Sequence, residues 1–284
     1  MSPPPSCTLT YTQKKKEERR VLTRTYTLCI HICVCVCVCV QTFDPIVRAK
    51  YIEDVIEKKN ADVKQVVLLG AGMDTRAFRL SNVSADTTIY EVDFAHSFEH
   101  KQTVIDDKGA RTVCRRVVVP VDLRAKDGKS PAWVSALIDA GFDTTQKSIF
   151  TAEGLLLYLK QDEVNSLLEG VSKLTCTGST MVGDVLNQAF LQWELAQPLL
   201  TFMAENDAPW IYGFRTRSEW HGQWEDLEFA LKEENIPMLA FRYKRPAKIG
   251  LFKAIGIGFN VTKNRMNGKL DEDPAYLMFV ATKK

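Results

Sequence analysis

Gly70, Gly72, Asp93, Asp122 and Glu153 are residues whose types and spacing point to chemistry. The stretch QVVLLGAGMDTRAFRL runs from Gln65 to Leu80, and YEVDF follows at 90–94. One apolar run ends in Gly70-Ala71-Gly72, and a second ends in two carboxylates, Glu91 and Asp93. An α/β domain builds a nucleotide pocket this way. Its first strand delivers a glycine turn and its second delivers an acid to a ribose. A Cβ at position 70 or 72 would block the approach of backbone to ligand. The acid accepts hydrogen bonds from both ribose hydroxyls. Strand alternation puts Glu91 and Asp93 on one face. Asp93 is the better candidate, because it lies at the strand's C-terminal end, where ligands bind in open sheets.

Two cofactors fit this logic, a nicotinamide dinucleotide and S-adenosyl-L-methionine. The dinucleotide fingerprint needs a third glycine for close helix–strand packing, and here that position holds Thr75. Asp74 beside it would repel a pyrophosphate, whereas a sulfonium with an ammonium group raises no such objection. Asp74 and Arg76 also read as a local ion pair that orders the turn.

Four blocks occur in order: GAGMDTRAFRL, EVDF, VPVDLR at 119–124 and FTAEGLLLYL at 150–159. Together they resemble the leucine carboxyl methyltransferase family, most closely its branch of S-adenosylmethionine-dependent O-methyltransferases of small molecules. The resemblance runs from about Arg48 to about Asn187, with a weaker tail beyond. It implies a class I methyltransferase sheet of seven strands, Rossmann-like, doubly wound and mostly parallel with an antiparallel last strand. It implies that Arg48 pairs with the cofactor's carboxylate, for which an arginine fork is suited. Gly70 matches a cofactor-contacting glycine, and Asp93 matches the ribose acid. Asp122 would accept from the adenine amino group while Leu123 packs on the ring, and Glu153 would meet the methionine end. The methyl acceptor is then a small molecule or a carboxylate. A carboxylate acceptor needs no base; a hydroxyl does, and the candidates are His96, His100 and His221. The alternatives are a remnant that binds cofactor without turnover and an NAD(P)-dependent oxidoreductase.

Other residues compete for attention. His96-Ser97-Phe98-Glu99-His100 spells H-x-x-E-H, an inverted zinc-peptidase pattern. Its place directly after the ribose acid argues for an ordinary helix, and no metal site is expected. Tyr158, five residues after Glu153, either faces the pocket or packs in the core, the commoner fate. Trp193, Trp210, Trp220 and Trp224 either line an apolar pocket or pack in the core, which is the commoner fate.

These residues must be positioned by alternating strands and helices, and that alternation predicts a doubly wound sheet. Strands are expected at about 65–69, 87–92, 115–121, 148–152 and 179–185, with a closing pair at about 238–244 and 276–282. Helices are expected at 43–60, with Ile46, Tyr51, Ile52, Val55 and Ile56 near one face, at about 95–107, at 131–142 and at 161–174. In the third of these, Ser130 would cap, Pro131 would stand at N1 and Gly141 would end the helix. Two more helices are expected between 188 and 235.

A length of 284 residues suits one catalytic domain, and a net charge of +2 gives no sign of a nucleic-acid or membrane partner. The sequence carries no signal for oligomeric state. Residues 1–40 differ in composition: a Pro3-Pro4-Pro5 run, a basic cluster, then alternating Cys and Val from Cys33 to Cys39. A TG dinucleotide repeat translates to that alternation in any frame. The segment reads as low-complexity sequence, disordered or not native, ahead of a methyltransferase domain at 41–284. Its apolar run is too short to span a bilayer. Beyond it only Cys114 and Cys176 remain, which fits a reduced, cytoplasmic domain.

Overall fold

Runs of consecutive apolar residues become the middle of a parallel sheet. The computed structural model describes residues 45–59, 61–80, 82–128, 130–235, 239, 242–243 and 276–284. Residues 1–40 lie outside the described residues. One sheet is formed by β1 (Gln65–Leu69), β2 (Thr88–Asp93), β3 (Arg115–Pro120), β4 (Ser148–Ala152), β5 (Thr180–Leu186), β6 (Phe229–Asn235) and β7 (Tyr276–Lys283). Its order is β3-β2-β1-β4-β5-β7-β6. The strands β1 to β5 are parallel, and β7 runs antiparallel between β5 and β6. The expected doubly wound sheet with an antiparallel last strand is therefore present.

Both faces are covered, as consecutive apolar residues require. Val67 and Leu69 enter one core with Trp133, Phe150, Leu167, Trp220, Trp224 and Phe279. Val66 and Leu68 enter the other with Val47, Ile52, Ile56, Val182 and Met278. The first core is closed by α4 (Ala132–Asp139), α5 (Gln161–Leu174) and α8 (Arg217–Asp226); the second is closed chiefly by α1 (Pro45–Lys59). Between them in the chain lie α2 (Arg76–Arg79), α3 (Ala95–Lys108), α6 (Gln188–Leu191) and α7 (Gln197–Glu205). In α5, Val164, Leu167, Leu168, Val171 and Leu174 are buried, a stripe of helical period. Its first turn is fixed by Glu163, which accepts from the Lys160 N–H at 2.7 Å.

Several expectations change. On α1 the buried face is Val47, Tyr51, Ile52 and Ile56, while Ile46 is 57% exposed. The helix expected at 131–142 starts at Ala132 without a Ser130 cap, because Ser130–Pro131 pair antiparallel with Lys126–Asp127. The second closing strand is Phe229–Asn235, inside the stretch read as helical. FALKEEN is rich in helix formers, but seven rungs to β7 override that preference. Its charges suit an edge strand, where they discourage further pairing. Of the expected strand at 238–244, Leu239 and Arg242 are helical and the rest, apart from Tyr243, lies outside the described residues. Among the described residues no helix is long and apolar enough to cross a membrane.

The topology fixes where a ligand can sit. From β1 the chain winds to β2 and β3 on one side, then returns to β4 and β5 on the other. The crevice between the carboxyl ends of β1 and β4 is a topological switch point. Gly70 to Gly72, Asp93, Asp122 and Glu153 all lie at, or within three residues after, the ends of β1, β2, β3 and β4.

Candidate functional site

The turn after β1 is held by the end of β2. Gly70 and Ala71 donate their N–H groups to the Val92 carbonyl at 2.9 and 3.2 Å. The Gly72 N–H donates to Asp93 Oδ2 at 2.6 Å, and the Phe94 N–H donates to Asp93 Oδ1 at 2.6 Å. Each carboxylate oxygen thus keeps a further lone pair for another donor. Both glycines have positive φ, 65° at Gly70 and 43° at Gly72. A Cβ on Gly72 would meet nothing within 4 Å, so the space above it is open, whereas at Gly70 it would lie 3.0 Å from Leu155 Cδ1.

Glu91 is not part of this arrangement. It is fully buried, with Oε2 2.8 Å from Lys101 Nζ and 2.7 Å from Arg116 NH2. Strand alternation alone did not separate Glu91 from Asp93, but position along the strand does.

The end of β3 is tied to the same place, since the Val121 N–H donates to the Asp93 carbonyl at 2.8 Å. Asp122 then closes its own turn. Its Oδ1 accepts from Arg124 N at 2.9 Å and Nε at 3.0 Å, and Oδ2 accepts from Arg124 NH2 at 3.0 Å. These bonds hold the carboxyl below its usual range despite slight burial. Arg124 also lies over the Phe94 ring, 5.4 Å from its centroid. Leu123 is half-buried against the core.

The densest charge cluster surrounds the turn after β4. Arg48, reaching in from α1, donates from Nε to Glu153 Oε1 at 3.2 Å and from NH1 to the Tyr276 hydroxyl at 2.9 Å. Glu153 Oε2 accepts from Arg76 NH2 at 2.7 Å. Arg76 is 2% exposed and also binds Asp74, as the spacing predicts. Glu53 Oε1 lies 3.7 Å from Arg76 Nε and also pairs with Arg79. Burial pushes the Asp74 carboxyl above its usual value, with Arg76 opposing. Burial would loosen the Arg48 proton, but Asp184, Tyr276 and Glu153 outweigh it and raise its pKa. Carboxylates outnumber guanidiniums here: Glu53, Asp74, Glu153 and Asp184 face Arg48, Arg76 and Arg79. Arg48 and Glu153 each remain about one-fifth exposed, so the two keep a face to the cleft.

The long reach of Arg76 and the parts played by Asp184 and Tyr276 were not read from sequence. The available signal was Asp184 itself, a carboxylate inside the fully buried strand TMVGDVL. Other candidates fall elsewhere. His96, Glu99 and His100 of the H-x-x-E-H pattern are exposed, and the His96 ring stacks on Phe94 at 5.2 Å. His221 pairs with Glu233 at 3.2 Å on the edge strand. Tyr158 is exposed rather than core. Trp220 and Trp224 pack on each other and on Phe279, so they are core; Trp193 and Trp210 are only partly buried. Among the described residues no three His, Cys, Asp or Glu side chains gather as metal ligands.

The chain resembles known proteins in sequence and in fold. The sequence profile of the leucine carboxyl methyltransferase family matches residues 40–172. A relative from Streptomyces coelicolor is 41% identical over 232 residues, 75% of each chain. One from Frankia alni is 44% identical over 137 residues, 48% of this chain and 46% of its own length. Both carry the provisional name S-adenosyl-L-methionine-dependent methyltransferase. The chain spans about half the length of several curated relatives it matches. Among solved structures, a DUF574 family protein from Streptomyces avermitilis superposes with a TM-score of 0.55 at 15% identity, covering 84% of this chain and 83% of its own. A provisionally named methyltransferase from Thermobifida fusca gives 0.53 at 16%, covering 84% and 81%. These two likenesses concern the fold.

Proposed function

This chain belongs to the leucine carboxyl methyltransferase family, and on that footing we propose that it is an S-adenosyl-L-methionine-dependent O-methyltransferase acting on a small molecule or a carboxyl group. The observation that carries the reading is Asp93, whose carboxylate locks the Gly70–Gly72 turn at the switch point while open space lies over Gly72.

The residues fit such a cofactor. Asp93 retains a lone pair on each oxygen for two ribose hydroxyls. Gly72 lets backbone approach the ligand, and Gly70 holds the turn at positive φ. Asp122 is assigned to the adenine amino group and Leu123 to the ring face. Arg48 is assigned to the ligand's carboxylate and Glu153 to its ammonium. The surplus of carboxylates around Glu153 suits a ligand carrying two positive centres.

When bound, S-adenosyl-L-methionine supplies an electrophilic methyl group on a positive sulfur. The chain's own work is to bind, align and keep the site dry. Glu153 favours the charged ground state, so its role is binding rather than acceleration. An acceptor carboxylate arrives ionised and asks for no base, whereas a hydroxyl asks for one. On this reading the catalytic unit occupies residues 41–284.

Calorimetric titration of S-adenosylhomocysteine into the full chain tests the reading. Micromolar binding is expected. A folded chain that does not bind removes the basis for every cofactor contact proposed.

A further inference from the structure

An aspartate inside a fully buried strand needs a compensating reason. Asp184 lies in β5 between Gly183 and Val185 and is 0% exposed. Burial pushes its carboxyl up, while Arg48, Tyr276 and the Gly154 N–H act against that shift. Each oxygen accepts from a group that adjoins Arg48 or Glu153. Oδ1 takes the Gly154 N–H at 2.6 Å, and Oδ2 takes the Tyr276 hydroxyl at 2.5 Å. That hydroxyl accepts in turn from Arg48 NH1 at 2.9 Å, and NH1 itself lies 3.8 Å from Asp184 Oδ2.

The consequence is rigidity at two places at once. The peptide after Glu153 cannot rotate without losing the bond to Asp184. The Arg48 guanidinium cannot swing without leaving Tyr276 and Glu153. Gly154 has a φ of 60°, and a Cβ there would come within 3.1 Å of Arg48 NH2, so the guanidinium packs flat on this turn. An unheld arginine carries side-chain rotamer entropy, which binding would otherwise have to remove.

We propose that Asp184 and Tyr276 are positioning residues for the amino-acid end of the cofactor. They fix the Arg48 fork and the Glu153–Gly154 turn before a ligand arrives. The ligand's carboxylate and ammonium then meet charges already in place. This rests on the roles given to Arg48 and Glu153 above.

The test compares two ligands on the full chain by calorimetry. S-adenosylhomocysteine has an amino-acid end, while 5′-methylthioadenosine shares its adenosine but lacks that end. Wild-type protein that binds neither overturns the cofactor reading itself, and this proposal with it. With binding established, Asp184→Asn and Tyr276→Phe should each weaken S-adenosylhomocysteine by about tenfold or more. Their affinity for 5′-methylthioadenosine should stay within about twofold of wild type. Equal losses for both ligands would mark a purely structural role, and unchanged S-adenosylhomocysteine affinity would mark none. Either result overturns the proposal. Thermal melting checks each variant; Tyr276→Phe removes one oxygen from a buried ring and serves where Asp184→Asn does not fold.

Discussion

Asp93 and Glu91 stand two residues apart on one strand and answer to different measurements. Asp93→Ala removes the acceptor for Gly72 and the proposed ribose contacts, so S-adenosylhomocysteine affinity should fall by about 1–3 kcal/mol in calorimetry. Glu91→Ala leaves Lys101 buried without its carboxylate. It should cost about 3–5 kcal/mol of stability in urea denaturation, with ligand affinity intact wherever the variant remains folded. The sequence made Asp93 legible because a carboxylate at the end of a strand that follows a glycine turn has a natural task. It hid the partners of Glu91, because Lys101 and Arg116 come from α3 and β3 and meet Glu91 only in the folded sheet. Arg76 shows the same limit. Its pairing with Asp74 is local and was expected, but its contact with Glu153, 77 residues on, depends on β1 and β4 being neighbours.

Elements were legible where pattern and packing agree. The strands β1 and β4 lie at the expected residues, since both are short apolar runs covered on both faces. The composition of β6 favours a helix, and only its pairing with β7 makes it extended. A tight strand contact supplies a prediction at this scale. A Cβ on Gly183 would lie 2.6 Å from the Ala152 carbonyl and 2.9 Å from the Phe279 ring. Gly183→Ala should therefore push β5 away from β4 and destabilise the fold by about 1–3 kcal/mol, read as a lower urea midpoint. An unchanged midpoint would mean that the two strands tolerate wider spacing at the floor of the crevice.

Taken whole, the molecule gathers its proposed ligand contacts from strand ends on both sides of the switch point and from α1. A ligand gripped by so many elements binds the folded chain alone. S-adenosylhomocysteine at about one hundred times its dissociation constant should add about 2.7 kcal/mol of stability. For a domain of this size that is a rise in melting temperature of about 5–10 °C, measurable by differential scanning. A shift that stays flat as ligand is raised would contradict binding to the native state. The link between Arg48 and Tyr276 spans 228 residues. Ribosomal synthesis is directional, so the glycine turn, Asp93 and Glu153 emerge long before Tyr276 does. A nascent chain halted between them carries the strand ends proposed for the adenosine half of the ligand but lacks the hydroxyl that bonds Arg48. On the proposed roles, full-strength ligand binding certifies that translation has run through β7.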